Sequence, residues 1–241
     1  MPSLPRKALI SITSYNEVFY EDGARTGLFY TEALHPYLAL TEVGFDVELA
    51  SETGKCGVDE HSKDKMFLSD EDEKILNDPS HAFNVKLKNV HKASDLKASD
   101  FGLFFAAGGH GTLWDYPTAK SLIAIAEDIY KRGGVVAAVC HGPAILPSIK
   151  DANGKSIIAG KTVTGFTTQG EIELNVMNRM NEAGVSTISD SAVAAGGKYF
   201  EPPKPFDDYS MVDGRVVTGV NPASAHSTAE KAIKVFDSLQ N

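Results

Sequence analysis

The 241-residue sequence predicts an α/β fold, a doubly wound sandwich built on a mostly parallel central sheet. Three observations carry that expectation. Two apolar runs without polar alternation, Phe101–Ala106 and Val135–Cys140, read as strands buried on both faces. The opening succession from Lys7 to Ala50 reads strand–helix–strand, a βαβ unit whose crossover makes its strands parallel. Glycine-containing turns follow both inner strands, at Gly108–Gly111 and Gly142-Pro143, on the edge where such sheets bind ligands.

Taken in order, Lys7–Thr13 is the first strand, and a polar-aromatic loop from Ser14 to Thr26 follows it. Gly27–Val43 reads as a helix with Leu28, Leu34, Leu38 and Val43 among its apolar positions and Gly44 as its stop. Pro36 is expected to kink that helix or to end its first half. Phe45–Ala50 is the second strand.

Residues 51–100 change character, being rich in Asp, Glu, Lys, Ser and His, with helices expected near Asp70–Leu76 and Ala82–Val90. Their apolar content is too low for a core of their own. They are therefore expected to form an insertion or cap within one domain spanning residues 1–241. Strand Phe101–Ala106 leads to Gly108-Gly109-His110-Gly111, then to a helix from Pro117 to Arg132 that Gly133-Gly134 terminates, then to the central strand.

Asp151-Ala152-Asn153-Gly154 is a turn signal, and short strands are expected at Ile157–Ile158 and Thr162–Gly165. A helix over Gln169–Met180 and a loop over Ala194–Pro205 follow. Tyr209–Val212 and Arg215–Val220 pair as a hairpin around Asp213-Gly214, a type I′ signal. Asn221 caps the last helix, with Pro222 at its first position.

A formal charge of −9 argues against a chain that grips nucleic acid or an anionic membrane through its bulk field. No apolar run approaches the ~18 residues of a transmembrane helix, and Met1–Lys7 lacks a signal-peptide apolar core. Two cysteines, Cys56 and Cys140, far apart in unlike contexts, make no disulfide framework. A soluble, cytoplasmic protein in a reducing compartment is expected, without nucleic-acid or membrane partners.

The chemistry concentrates where Val135–Cys140 meets His141-Gly142-Pro143. A cysteine on a tight strand-to-helix corner has the layout of a nucleophile elbow, with sulfur in place of the serine oxygen. A following helix N-terminus would stabilise its thiolate. The alternative for a lone Cys140 is a small core residue. On a regular strand the side chains of Cys140 and His141 would point to opposite faces, whereas a tight corner lets both enter one pocket. His141 is thus either a base or a surface residue at a helix start.

Gly108–Gly111 offers backbone N–H donors that can approach a bound oxygen closely. Glu171 reads either as a site carboxylate or as a charge at a helix N-terminus, and Glu32 as a solvated helix residue by default. Spacing alone brings neither to Cys140. No cofactor is expected: the Gly109-x-Gly111 pattern reaches Trp114 where a dinucleotide fingerprint needs glycine. Gly154-Lys155-Ser156 and Gly160-Lys161-Thr162 lack the earlier glycine of a phosphate loop. No metal is expected either. Asp59-Glu60-His61, His81 and His91 lie in the polar insertion, where solvated side chains are the norm, and Cys56 is read as incidental.

Five segments together resemble one branch of the ThiJ/PfpI superfamily, the fungal heat-shock chaperones that are glutathione-independent glyoxalases (glyoxalase III). They are Ala137–Ala144 around Cys140-His141, the Gly-Gly-His-Gly loop, Thr31-Glu32-Ala33-Leu34-His35-Pro36, Thr164–Glu171 and Thr218–His226. The resemblance runs along essentially the whole chain. It implies a flavodoxin-like sandwich and a homodimer in the cytoplasm and nucleus, with Cys140 as nucleophile and His141 and Glu171 completing a triad. Glu32 would lie against the sulfur, and the Gly109 and His141 amides would hold an oxyanion.

The reaction implied is methylglyoxal or glyoxal plus water giving D-lactate or its homologue, with no glutathione and no cofactor. A carboxylate beside a thiolate raises both pKa values, so Glu32 is expected to stay protonated and donate to sulfur. Glu32 is the expected proton shuttle, with His141 the alternative. Binding of unfolded chains as a holdase, a redox-sensing thiol and a cysteine peptidase are rival readings. A glutaminase is excluded because none of the seven histidines is followed two places on by Glu.

Overall fold

The computed structural model describes residues 4–240. Strand β1 (Lys7–Ser11), helix α1 (Tyr30–Glu42) and strand β2 (Asp46–Ser51) form the opening βαβ unit. Helices α2 (Asp70–Leu76) and α3 (Ala82–Lys88) and the short β3 (His91–Lys92) follow, then β4 (Leu103–Ala106), α4 (Thr112–Asp115), α5 (Lys120–Lys131) and β5 (Val135–Val139). The remainder comprises β6 (Thr162–Val163), α6 (Thr168–Glu173), α7 (Met177–Ala183), α8 (Ile188–Ala194), β7 (Lys198–Tyr199), the hairpin β8 (Ser210–Asp213) and β9 (Val216–Gly219), and α9 (Ala225–Ser238).

Seven strands make the central sheet in the order β3-β2-β1-β4-β5-β9-β8, parallel throughout except for β8 against β9. Both faces are covered, as a non-alternating apolar strand requires. Ile10, Phe105 and Ala137 point into one core with α1 and α9, while their neighbours Leu9, Phe104 and Val136 point into the other with α5. The chain builds outward from β1 through β2 to β3, then returns to build the other way from β4. The carboxyl ends of β1 and β4 therefore flank the switch point at which open α/β sheets bind ligands.

Several expectations give way to local chemistry. Helix α1 runs through Pro36 unbroken. The ring removes the donor that would have met the Glu32 carbonyl, and burial of most of the helix offsets that loss. After β5 the chain forms not an α-helix but a 3-10 helix, Gly142–Ser148. Pro143 in the first turn is compatible with an α-helix, but Pro147 lacks the N–H that would have met the Pro143 carbonyl. No α-helix dipole therefore stands behind Cys140.

The expected helix over 169–180 is two, broken where Asn175 takes a left-handed φ of 57° and its side chain reaches Glu21 (3.1 Å). Ile157–Ile158 is not a strand, Thr162–Val163 pairs with Lys198–Tyr199 in a separate small sheet, and α8 starts at an N-cap, Thr187, whose side chain accepts from the Asp190 amide. The hairpin turns on Gly214-Arg215, not Asp213-Gly214, with positive φ at Gly214 alone. That is the pattern of a type II′ turn.

Candidate active site

The corner after β5 is strained. Cys140 adopts φ +59°, a region that costs a non-glycine residue on the order of 1–3 kcal/mol. The turn brings two consecutive side chains together: Cys140 Sγ lies 3.2 Å from Nδ1 of His141. His141 Nε2 donates to Oε1 of Glu171 at 2.8 Å. Glu171 sits in the first turn of α6, which Thr167 caps by accepting from the Gly170 amide. All three residues are almost wholly withdrawn from solvent.

Burial, aided by the neighbouring His110, pulls His141 down to about 4 even though Glu171 opposes the shift. The ring is thus neutral near pH 7. With its Nε2–H given to Glu171, it offers the Nδ1 lone pair to the thiol. Burial would raise Glu171, but His141 and His110 outweigh it and hold the carboxyl at about 2. Burial foremost, then the Glu32 and Glu171 charges, pushes the Cys140 thiol up, while the Gly109 amide aimed at the sulfur works the other way. Burial and the flanking charges thus favour the thiol over the thiolate, and His141 Nδ1 stands 3.2 Å from its sulfur.

Glu32 is completely buried in α1, contrary to the solvated default. Its oxygens face Cys140 and the Gly108 amide without a well-aligned hydrogen bond to either. Burial drives its pKa well above the usual carboxylate range, so it is a neutral acid against the sulfur. A neutral Glu32 also withdraws one of the charges that raise the thiol. The glycines of the neighbouring loop make this close approach possible. A Cβ at Gly108 would strike the Glu32 carboxyl and the Val139 carbonyl, and one at Gly109 (φ +99°) would strike the Gly27 carbonyl. Among the described residues, neither the Gly109 nor the His141 amide is paired with another acceptor of the protein.

Cys140, His141, Glu171, Glu32 and Gly109 therefore meet in one place; Cys140, His141 and Gly109 line a cavity of about 320 Å³, and the two glutamates lie buried behind them. A larger hollow beside Trp114 and Pro147 and a smaller one beside Arg179 contain none of the five. Three further residues join the constellation. His110 Nε2 donates to the second oxygen of Glu171 at 2.9 Å, and its ring lies 4.0 Å from that of His141. Tyr20 approaches His110 Nδ1 at 3.4 Å and donates to Asp59 at 2.7 Å.

Reading the Gly-Gly-His-Gly loop only for its amides passes over His110. Asp59 corrects the expectation of a solvated cluster. It is fully buried and also accepts from the Ser62 amide. Cys56, mostly buried, is pushed up to about 12 and carries no thiolate. His110, His141 and Glu171 form the one group with metal-ligand spacing among the described residues. Both Nε2 atoms are already committed to the Glu171 oxygens. The set is built to orient imidazoles.

Residues 25–235 match the model of the DJ-1/PfpI family. The chain is 50% identical to the glutathione-independent glyoxalase HSP31 of Saccharomyces cerevisiae, over 98% of this chain and 99% of that one. The crystal structure of glyoxalase III from Candida albicans superposes with a TM-score of 0.93 at 49% identity, covering 95% of this chain and 97% of that one. The Rapid Encystment Protein of Francisella tularensis does so at 0.84 with 29% identity, covering 95% and 98%.

Proposed function

We propose, from the premise that the chain belongs to the DJ-1/PfpI family, that it is a glutathione-independent glyoxalase, a lyase converting methylglyoxal and water to D-lactate. The observation that carries this reading is the buried line Cys140–His141–Glu171, with a neutral Glu32 on the other side of the sulfur.

In this mechanism His141 Nδ1 takes the thiol proton as sulfur adds to the aldehyde carbon. The Gly109 and His141 amides, paired with no backbone carbonyl among the described residues, receive the oxyanion, which then takes the proton from His141. The product is a hemithioacetal. Glu32 passes its proton to the neighbouring carbonyl oxygen and takes the hydrogen of the former aldehyde carbon, giving an enediol. Returning that proton to the second carbon, and recovering one from the first hydroxyl, leaves a lactoyl thioester and a neutral Glu32. His141, oriented by Glu171, then activates water to hydrolyse the thioester, which restores the thiol. Glu32 suits the shuttle because no other hydrogen bond holds its proton.

The test is purified protein with methylglyoxal and no added thiol. D-lactate is expected from the wild type and a loss of at least about 10³-fold from Cys140→Ala. No D-lactate from folded wild type would sink the reading. A cytoplasmic homodimer that also holds unfolded chains completes the proposal. Exposed apolar side chains at Met66, Ile172 and Phe206 favour the holdase part. Suppression of aggregation that survives Cys140→Ala would separate it from catalysis.

A further inference from the structure

The cavity is far larger than methylglyoxal requires. Its volume is about 320 Å³. Methylglyoxal displaces roughly the volume of three waters, about 90 Å³. The surplus space has a direction. Cys140, only 3% exposed, lies at the base, where the aldehyde end of a 2-oxoaldehyde must sit for sulfur to reach its carbon. That end carries only hydrogen. Whatever substituent the second carbon bears then points toward the mouth.

The path outward is apolar and aromatic. Phe29 and Phe67 meet edge to face at 5.1 Å on one side. Phe166, stacked on His141 at 4.7 Å, and Phe206, 6.3 Å from it, form the other. Met66 (81% exposed), Phe206 (46%) and Leu174 (45%) line the mouth, so apolar surface that folding leaves wet faces this channel. Among the described residues no lysine or arginine lines the cavity, and the charged group at its mouth is the Asp64 carboxylate. His61, also there, is paired with Asp22 at 2.8 Å. A phosphorylated or carboxylated tail would meet no cation. A polyhydroxylated one would lose its water for few hydrogen bonds.

We infer that the site accepts, and prefers over methylglyoxal, 2-oxoaldehydes whose second carbon carries a bulky apolar group, branched alkyl or aryl. Phe67 and Met66 of the 51–100 segment select for that group. The inference rests on the glyoxalase reading above. It uses the same steps, so a phenyl substituent gives mandelate where methyl gives lactate.

The experiment compares kcat/KM for methylglyoxal, 2-oxobutanal, 2-oxopentanal, 4-methyl-2-oxopentanal and phenylglyoxal, with Cys140→Ala as the blank for chemical modification. Along the alkyl series kcat/KM is expected to rise about fourfold per methylene, the factor that burying one methylene corresponds to. In Phe67→Ala the phenylglyoxal-to-methylglyoxal ratio should fall about tenfold. Met66→Ser, at a position too exposed to endanger folding, should lower it by a smaller factor. A flat or falling series alongside ready turnover of methylglyoxal overturns this inference and leaves the glyoxalase reading standing. A ratio unmoved in both variants overturns the role given to Phe67 and Met66. Folded protein that turns over no 2-oxoaldehyde removes both readings.

Discussion

Two regions meet at the cavity, and they are built in opposite ways. The carboxyl edge of the sheet, Gly108–Gly111 with Cys140–His141, is buried throughout and made of backbone that tolerates no added atoms at its glycines. The 51–100 segment is mostly exposed, short in its helices and poor in buried apolar side chains, with Phe83 and Ile75 its main anchors. Polar contacts tie it to the rest of the fold: the Leu28 amide donates to Gly57 and that of Asp59 to Leu28, while Tyr30 donates to Asn84 and His35 pairs with Asp72.

The rigid edge can hold reacting groups within tenths of an ångström. The more exposed segment offers side chains, Met66 and Phe67, that can change without disturbing those groups. On the proposed reading, reaction chemistry and substrate choice fall to separate parts of the chain, linked by the Tyr20–Asp59 hydrogen bond among other contacts.

The sharpest break in this contrast is Glu171→Gln. The amide keeps the shape but cannot hold two imidazole N–H donors as the carboxylate does, so kcat should fall about 10²–10⁴-fold with little change in KM. Steady-state kinetics on D-lactate release would check it. A loss under tenfold would mean that His141 does not depend on Glu171 for its orientation.

Acid should find the edge before the segment. Folded His141 titrates at about 4, against an ordinary value of 6.5, so between these values the unfolded chain binds more protons than the folded one. The stability this gives is complete above pH ~6.5 and drains away as pH falls toward 4, by on the order of 3 kcal/mol. Glu171, held at about 2 against 4.5, extends the same loss through the lower window. Urea midpoints measured from pH 7 to 4 should fall in wild type and flatten in His141→Gln. A wild-type midpoint that does not move would place His141 in a far less buried setting.

The smallest expected effect lies at the join. Asp59→Ala leaves the Tyr20 hydroxyl and the Ser62 amide without their acceptor. It should cost about 1–3 kcal/mol by denaturant titration and mainly raise KM. A fall in kcat as large as that of Glu171→Gln would show that the segment takes part in the chemistry and would erase the distinction.

Apolar runs and turn residues carry the fold in the sequence because strand burial and chain reversal are local demands. Both inner strands, α2 from Asp70 to Leu76, and the corner at Cys140 are legible for that reason. Where two local preferences compete, sequence reading fails. Pro36 loses to burial of α1, and Pro147 defeats an apolar run that otherwise suits an α-helix.

The site divides along the same line. Adjacency in sequence suffices to pair Cys140 with His141, but no periodicity carries Glu32, 108 residues before the cysteine, or Glu171, 31 after it, to the sulfur. Resemblance to a family supplies that convergence. The tertiary structure supplies the protonation states, because burial, which only packing creates, keeps Glu32 and His141 neutral while two imidazoles keep Glu171 charged. It alone also finds His110 and Asp59. Their spacing is that of ordinary loop residues, and their chemistry begins only when β4, α6 and the start of the 51–100 segment come together in space.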